Sequence, residues 1–283
     1  MENKKTGCLH PSFVCIGAQK AGTTWLYDNL CQHPDVWLPQ VKEIHFFNTV
    51  CPHERLIGVE THNHLGPLEI WRLFFKSSSL KNLRWLKRFY YEPKTTQWYY
   101  GLFSVSPNDK CTGDITPAYS TLDEKGVSFA RQVLPDKCKV FIILRNPIER
   151  LWSGLKMNYR WRGENVHEIS SASLSKEMQI ASHYLRTDYS RTVNLWQKYF
   201  PGDFKIFLFD DLVENSASFL TTIQDYIGVK RFVNKKTLAK KSNADKKNIE
   251  IPTEIQKFVL AEYAETINKL ECIVPGIKER WLG

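Results

Sequence analysis

The sequence predicts an α/β protein with a doubly wound parallel sheet flanked by helices, because three apolar segments each lead into a helical pattern. The three segments are Phe13–Gly17, Lys139–Leu144 and 204–209. Apolar runs of this kind are typical of parallel strands that are covered on both faces. Strands that alternate with helices pair in parallel through right-handed crossovers, so we expect all three strands in one sheet.

The first strand is followed by a loop that contains glycine and then by a predicted helix over 24–31. Leu26 and Leu30 lie four residues apart on one face of that helix, and Pro34 comes just after its end. This part of the chain is therefore predicted to form a strand, loop and helix unit.

The second strand runs almost directly into a predicted helix over 148–159. Asn146 and Pro147 suit the N-cap and the first helical position. The third strand precedes a predicted helix over 216–227, and 253–272 has the apolar spacing of a final amphipathic helix.

No repeat, low-complexity tract or flexible linker divides the chain, so we predict a single domain over 1–283 with an insertion at about 50–110. Large aromatic rings crowd 71–103 of this insertion, which we expect to be helical. Such rings usually pack as core, although rings beside an active site can also line a substrate pocket.

Composition excludes several classes of protein. With 42% hydrophobic and 24% charged residues, the chain has the make-up of a globular protein and not of a disordered one. Its seven cysteines are scattered and never spaced as C-x-x-C, so we expect reduced, structural thiols and neither a zinc site nor a disulfide framework. The polar N-terminus and a first apolar run too short for a signal peptide predict a cytoplasmic protein.

The formal net charge of +9 suits a polyanionic ligand, whether nucleic acid, an anionic membrane or a highly charged nucleotide. The sign of the charge does not distinguish these ligands, and a basic surface can also reflect solubility alone. A motif is needed to choose among them.

The loop Gly-Ala-Gln-Lys-Ala-Gly-Thr-Thr at 17–24 lies at the first strand-to-helix turn, where backbone N–H groups can converge on an anion. It resembles a P-loop. In the ATP-binding form the lysine directly follows the second glycine, whereas Lys20 here precedes Gly22 by two residues. The sequence therefore favours a P-loop-like phosphate site that differs from those of ATPases and kinases.

Arg145 supplies a second cation, at the end of the second strand. Ligands of open α/β sheets bind at the carboxyl ends of the strands, and Ser153 lies two helical turns further on. Two separate anion sites suit a nucleotide that carries phosphate at both ends.

Together these motifs resemble those of the sulfotransferases that use 3′-phosphoadenosine 5′-phosphosulfate (PAPS), particularly the branch with heparan sulfate and bacterial small-molecule enzymes. Residues 17–25 resemble the family's 5′-phosphosulfate loop, and Leu-Arg-Asn-Pro-Ile-Glu-Arg-Leu-Trp-Ser-Gly at 144–154 resembles its 3′-phosphate motif. The resemblance covers nearly the whole chain and implies PAPS as co-substrate and PAP as product. It implies that the nucleotide is bound by Gln19, Lys20, Ala21, Gly22, Thr23, Thr24, Trp25, Arg145 and Ser153.

Trp25 has two interpretations. The resemblance implies that its ring stacks on the adenine, whereas a tryptophan one residue into a helix can equally belong to the core.

Lys-Glu-Ile-His-Phe-Phe at 42–47 resembles the family's K-E-x-H-F-F segment, in which the glutamate serves as base. The resemblance makes Glu43 the candidate base, and we expect its apolar neighbours to raise its pKa. His45 is the rival, because an imidazole titrates near neutrality. In an extended segment the two side chains would point to opposite faces, and a structural ion pair of Glu43 with Lys42 or Lys20 is a further alternative.

Two other segments bear on the substrates. Gly-Asp-Ile-Thr-Pro-Ala-Tyr at 113–119 resembles G-E-K-[ST]-P-x-Y of the heparan enzymes, but Ile115 stands where they carry lysine, which argues against a heparan-like acceptor. A basic lid loop is expected over about 233–251, similar to that of bacterial relatives, although a solvated run of charge is the alternative. The lid residues expected to bind the nucleotide are Lys241, Ser242, Asn243 and Lys246.

The resemblance thus implies an enzyme that moves a sulfuryl group from PAPS to a hydroxyl or to an amine or amide nitrogen of a small molecule, such as an alkaloid or a polyketide. Lys20 is expected to stabilise the leaving phosphate, and no metal is expected, because no carboxylate is arranged as a magnesium ligand after the threonines. An ATP-dependent kinase and a nucleic-acid-binding protein are the alternatives, but the sequence has no RNA-recognition motif, zinc finger or basic helix. We expect neither nucleic acid nor membrane as a partner, and the oligomeric state is left open.

Overall fold

The computed structural model of the protein describes residues 10–56, 80–107, 109–164, 170–239 and 250–282. A five-stranded parallel sheet with the strand order β2-β3-β1-β4-β5 runs through it, and helices flank the sheet. The strands are β1 Phe13–Gly17, β2 Val36–Trp37, β3 Cys111–Ile115, β4 Lys139–Leu144 and β5 Phe204–Leu208. The α/β fold predicted from the sequence is confirmed.

Fourteen α-helices lie within the described ranges. They are α1 Thr23–Leu30, α2 Phe46–Val50, α3 Leu80–Tyr91, α4 Thr96–Phe103, α5 Glu124–Val133, α6 Pro147–Trp161, α7 Ser171–Met178, α8 Ala181–Thr187, α9 Tyr189–Tyr199, α10 Phe209–Glu214, α11 Ser216–Ile227, α12 Lys235–Leu238, α13 Thr253–Glu271 and α14 Ile277–Leu282. Two 3-10 helices cover Glu54–Leu56 and Pro117–Thr121.

Strand β1 lies at the centre of the sheet and is buried along its whole length. Its first residue, Phe13, pairs in register with Gly113 on β3 and with Lys139 on β4. A Cβ atom at Gly113 would lie 2.1 Å from the Phe13 ring, so the close packing of these two strands requires glycine there. The sheet therefore holds the carboxyl ends of β1 and β4 side by side.

The sequence predicted β1, β4 and the helices that follow them to within two residues. The third predicted strand ends at Leu208, because Phe209 already begins α10. β2 and β3 were not predicted. β2 is only two residues long, and β3 contains glycine and aspartate, which are depleted in strands.

Helices α3 and α4 carry the aromatic residues of the described part of the insertion. The rings of Trp85, Trp98 and Tyr99 are buried, and the Trp85 Nε1–H donates to the Leu102 carbonyl at 2.9 Å. The Tyr99 ring stacks on Phe46 with 4.6 Å between centroids, so the insertion supports the segment that follows β2. The core interpretation is confirmed for these rings, whereas residues 71–79 lie outside the described residues.

The predicted basic lid loop is only partly described. Lys235–Leu238 form one short helix, α12, and not a loop. Lys241, Ser242, Asn243 and Lys246 lie outside the described residues. Within the described part of the chain, six cysteines are present as thiols and not as disulfides, and no helix there is both long and apolar enough to cross a bilayer.

Candidate active site

The loop between β1 and α1 is fixed at both of its ends. The Ala18 N–H donates to the Ile143 carbonyl of β4 at 2.8 Å, which anchors the start of the loop to the neighbouring strand. At the other end Gly22 adopts φ 81°, in the left-handed region that favours glycine. A Cβ atom there would lie 2.7 Å from the Cδ2 atom of Leu212. Both the positive φ angle and the close packing of Leu212 therefore favour glycine at this position.

The first turn of α1 contains backbone donors that form no hydrogen bond within the helix. The first hydrogen bond of the helix runs from the Leu26 N–H to the Gly22 carbonyl at 3.0 Å. The N–H groups of the residues before Leu26 in the first turn therefore have no partners inside the helix. No acidic residue lies in that turn, and no side chain caps it. Thr23 is buried and Thr24 half-buried. This donor set suits an anion, which the helix dipole also favours.

Lys20 connects the loop with the second anion-binding motif. Its backbone has φ 70°, and its Nζ atom lies 3.9 Å from the Met157 sulfur on α6. Its carbonyl oxygen accepts a hydrogen bond from Nη1 of Arg145 at 2.9 Å. The two motifs predicted from the sequence are therefore in direct contact.

Arg145 is held from several sides. Its Nε and Nη2 atoms donate to one oxygen of Glu149 at 3.0 and 2.8 Å, and its guanidinium lies 4.6 Å from the centre of the Phe209 ring. The Tyr189 hydroxyl donates to the Arg145 carbonyl at 2.9 Å. Ser153, the other residue of this motif, is half-buried on α6. The guanidinium is thus positioned before any ligand binds.

Trp25 belongs to the packed interior of the protein. Its side chain is 6% exposed, its ring lies 6.2 Å from that of Phe219, and its Nε1–H donates to the Leu238 carbonyl at 3.2 Å. Leu238 ends α12, shortly before the predicted lid residues. The core interpretation of Trp25 is confirmed, and stacking on an adenine stays a prediction.

Gln19 and Ala21 complete the predicted loop. Ala21 is fully buried. The Oε1 atom of Gln19 is buried and has no hydrogen-bond partner among the described residues. A buried acceptor without a partner is uncommon and is consistent with a ligand that donates to it.

Glu43 and His45 lie together and not on opposite faces, as an extended segment would have placed them. Both have left-handed backbone conformations, with φ 69° and 54°. The His45 Nε2 atom lies 3.3 Å from Oε2 of Glu43, and the Lys42 ammonium donates to Oε1 of the same carboxylate. The expectation of opposite faces applied to an extended segment, and the backbone here is not extended. The ion pair with Lys42 is present.

The electrostatics of Glu43 also differ from the prediction. Burial raises the pKa of this carboxyl, but the hydrogen bond with His45 and the charge and hydrogen bond of Lys42 together outweigh burial and lower the pKa to about 2. The predicted upward shift is wrong, because the ammonium of Lys42 and a hydrogen bond with His45 act on the carboxylate in addition to its apolar neighbours. Glu43 is ionised at neutral pH.

Two further arginines interact electrostatically with the predicted site: Arg150 with Arg145, and Arg186 with Glu43. Arg150 on α6 is fully buried, and its charge and that of Arg145 repel each other. Burial and the charge of Arg150 lower the pKa of Arg186 to about 10, and the carboxylate of Glu43 acts in the opposite direction. A bound anion would offset the repulsion among these cations.

A family model described as the Sulfotransferase family matches residues 11–233 of this 283-residue chain. The chain belongs to the Sulfotransferase family. The matched region is thus a sulfotransferase domain, and membership of the family implies PAPS as the sulfate donor.

Two curated relatives are also similar to this chain. Human bifunctional heparan sulfate N-deacetylase/N-sulfotransferase 2 is 24% identical over 247 residues, which cover 82% of this chain and 23% of that protein. Mouse heparan sulfate glucosamine 3-O-sulfotransferase 3B1 is 22% identical over 241 residues, which cover 80% of this chain and 48% of that protein. The chain therefore spans about a quarter and about half of the length of these two relatives.

The fold is similar to that of a solved sulfotransferase from Alicyclobacillus acidocaldarius. The two structures superpose with a TM-score of 0.66 at 21% identity, over 94% of this chain and 96% of that one. This likeness agrees with the parallel sheet and its helices.

Sequence reasoning missed several residues that contact the predicted sulfotransferase site. Glu149, Phe209 and Met157 contact Arg145 or Lys20. Of these, only Glu149 left a sequence signal, because a glutamate four residues after an arginine in a helix is placed to pair with it. In the described part of the chain, no group of three or more His, Cys, Asp or Glu residues could hold a metal ion.

Proposed function

We propose that the protein transfers a sulfuryl group from PAPS to a hydroxyl or to an amine or amide nitrogen of a small-molecule acceptor and releases PAP. The observation that carries this proposal is the hydrogen bond from Arg145 to the Lys20 carbonyl, at the carboxyl ends of the adjacent strands β1 and β4. It joins two cationic segments, as a nucleotide with phosphate groups at both ends requires.

In the proposed complex the loop 18–24 and the N-terminus of α1 bind the 5′-phosphosulfate. The backbone donors of α1 and the ammonium of Lys20 face the phosphate that becomes the leaving group. Arg145 and Ser153 bind the 3′-phosphate. Trp25, Gln19 and the lid residues Lys241, Ser242, Asn243 and Lys246 complete the proposed nucleotide site.

The proposed chemistry is a single in-line displacement at sulfur. An acceptor oxygen or nitrogen attacks sulfur, the bond between sulfur and the bridging phosphate oxygen breaks, and the electron pair of that bond remains on PAP. Negative charge grows on the bridging oxygen, where a cation such as Lys20 stabilises the transition state more than the ground state. The acceptor proton passes to a base on the protein.

We assign the role of base to Glu43. Its carboxylate is ionised at neutral pH and is therefore in the form that accepts a proton, although a pKa of about 2 makes it a weaker base than an ordinary carboxylate. His45 contacts the same carboxylate and is the rival base. The two Gln variants separate these roles. With Glu43 as base, Glu43→Gln lowers kcat by ~10²-fold or more and leaves PAP affinity within a few-fold. An active Glu43→Gln together with an inactive His45→Gln that binds PAP normally would assign the role to His45.

The proposed acceptor is a small molecule and not a heparan-like chain. The names of the two curated relatives refer to heparan sulfate. However, Ile115 replaces the lysine of the heparan enzymes and is 3% exposed, so this position offers no charge to a sulfated sugar. An alkaloid or a polyketide is the proposed class, and the cytoplasmic location stays a prediction.

A thermal-shift panel tests the donor assignment. PAP should raise the melting temperature more than AMP does, because AMP lacks the 3′-phosphate, whereas ATP with magnesium and a single-stranded oligonucleotide should have little effect. A larger shift with ATP and magnesium would favour a kinase, and one with the oligonucleotide would favour a nucleic-acid-binding protein. Incubation of the enzyme and PAPS with a metabolite extract, followed by a mass search for the gain of one SO3 group, then identifies the acceptor.

A further inference from the structure

A buried carboxylate on β3 accepts three hydrogen bonds close to the Glu43 segment. Asp114 is fully buried. Its Oδ1 atom accepts from the Thr116 hydroxyl at 2.7 Å, and its Oδ2 atom accepts from the hydroxyls of Tyr99 and Tyr119 at 3.0 and 2.9 Å. Burial raises the pKa of Asp114 to about 6, against the lowering effect of these three hydrogen bonds.

Two of the three hydroxyls also form hydrogen bonds with the backbone on either side of His45. The Thr116 hydroxyl accepts from the Ile44 N–H at 2.9 Å, and the Tyr119 hydroxyl accepts from the Phe46 N–H at 3.1 Å. Each hydroxyl donates to Asp114 and accepts from a backbone amide, which orients its proton. The carboxylate therefore fixes the backbone on both sides of His45.

The segment needs such support because of its conformation. Glu43 and His45 have positive φ angles, which residues with side chains rarely adopt unless surrounding contacts hold them there. In extended backbone the two side chains would point to opposite faces. The two amide hydrogen bonds thus favour the conformation in which Glu43 and His45 are in contact.

We propose that Asp114 is a positioning residue for sulfuryl transfer, which acts through Thr116 and Tyr119 to hold Glu43 and His45 together at the site. This inference rests on the proposed function, in which Glu43 takes the acceptor proton.

Tyr99 and Tyr119 form a matched pair for a test. Both rings are fully buried, both pack against Phe47, and both hydroxyls donate to the same oxygen of Asp114. Among the described contacts, only the Tyr119 hydroxyl also accepts an N–H from the segment. Tyr119→Phe and Tyr99→Phe therefore remove equivalent bonds from Asp114, but only the first breaks the connection to Phe46.

The experiment measures amide hydrogen exchange of a peptide that contains Ile44 and Phe46, together with PAP affinity. We expect Tyr119→Phe to accelerate exchange by about 10-fold, with Tyr99→Phe within about 2-fold of wild type. Thr116→Val should resemble Tyr119→Phe, whereas Thr116→Ser keeps the hydroxyl and should restore protection. PAP affinity should stay within about 2-fold in all four variants, because none of these side chains belongs to the proposed nucleotide site.

Kinetics form the second arm, with 4-nitrophenol and tyramine as acceptor probes and PAP release as the signal. Tyr119→Phe should lower kcat by about 10-fold with the KM for PAPS nearly unchanged, and Tyr99→Phe should retain most of kcat. Equal effects of the two Phe variants on both exchange and kcat would overturn the inference, since the network would then contribute only stability. Absence of PAP release by wild type with the probes and with the metabolite extract would count against the proposed function, and the exchange arm would still decide whether the network holds the segment.

Discussion

At the scale of single residues, Arg145 shows how one side chain is prepared for an anion. Its guanidinium already contacts a carbonyl, a carboxylate and an aromatic ring. Of these partners, only the Glu149 carboxylate repels a bound phosphate, because it carries the same charge as the ligand.

The first prediction compares the two members of this ion pair. Arg145→Ala should weaken PAP binding by about 1.5–3 kcal/mol and remove most of the preference for PAP over AMP, because it deletes a charge-assisted contact. Glu149→Gln should strengthen PAP binding a few-fold, because it removes the repulsion. Isothermal titration calorimetry measures both effects.

Glu92→Gln is the control for Glu149→Gln. Glu92 also pairs with an arginine four residues earlier, Arg88, so the two substitutions remove the same type of surface ion pair. PAP binding in Glu92→Gln should equal that of wild type. If Arg145→Ala kept the full preference for PAP, the 3′-phosphate would have to be bound elsewhere.

The second prediction concerns Lys20. We expect Lys20→Ala to lower kcat by ~10²-fold or more at saturating PAPS, because the ammonium stabilises charge that develops on the leaving oxygen. PAP affinity, measured by calorimetry, should fall much less than kcat. Turnover close to that of wild type would refute the placement of Lys20 at the leaving group.

The third prediction is a pH profile. A base works in its deprotonated form, and the pKa of Glu43 is lowered to about 2, so Glu43 stays competent as pH falls until the pH approaches that value. At saturating PAPS, titration of Glu43 should therefore add no acid limb to kcat/KM for the acceptor between about pH 5 and 7. A limb near pH 6 belongs instead to Asp114, whose pKa burial raises to about 6, and should be altered in Thr116→Val. An acid limb near neutrality that disappears in His45→Asn would assign the base to His45.

The sequence predicted which segments come together better than it predicted the environment of a single side chain. The motifs predicted that Lys20 and Arg145 contact the same nucleotide, because both follow strands whose carboxyl ends meet. In the structure Arg145 donates to the Lys20 carbonyl. The pKa of Glu43 could not be predicted in the same way. It depends on which way Lys42 and His45 turn, and that depends on two left-handed backbone conformations that no local pattern encodes.

At the scale of secondary structure elements, the junction of β1 and α1 depends on Gly22. The fourth prediction is that Gly22→Ala destabilises the protein by about 1–3 kcal/mol, because the methyl group meets Leu212 and the residue must keep a positive φ. Denaturant unfolding measures the loss.

Gly202→Ala separates the cost of the positive φ angle from the cost of the steric contact with Leu212. Gly202 also has a positive φ, 79°, but a Cβ atom there would have no neighbour within 4 Å. Its alanine variant should show the backbone strain alone. Equal destabilisation in both variants would mean that Leu212 moves aside at no cost.

The elements that sequence patterns predicted are those with continuous apolar runs. β1 and β4 are such runs, since burial on both faces of the sheet demands them. β3 was not predicted because tertiary contacts determine its residues. Gly113 leaves space for the Phe13 ring, and Asp114 accepts hydrogen bonds from three hydroxyls. Tertiary packing outweighs strand propensity there.

At the scale of the whole molecule, the fifth prediction is that the chain unfolds in one cooperative transition, as its predicted single domain requires. The proposed ligand binds segments that follow two central strands, so its binding should stabilise the entire fold. PAP at about 100 times its Kd should raise the free energy of unfolding by about 2.7 kcal/mol and the transition temperature by about 5 °C. Scanning calorimetry with and without PAP measures this. Two separate transitions, only one of which responds to PAP, would contradict the single domain.

The strand order also separates the two substrates of the proposed reaction. Arg145 follows β4, on one side of the central strand, whereas β2 and β3 lie on the other side. β2 precedes the segment 42–47, and β3 contains Asp114. In the proposed arrangement, mutations near β2, β3 and helices α3 and α4 would alter the acceptor without changing the residues proposed to bind the common donor. Such an arrangement lets natural selection diversify what is sulfated while the nucleotide site stays the same, and it gives directed evolution a defined region in which to concentrate libraries.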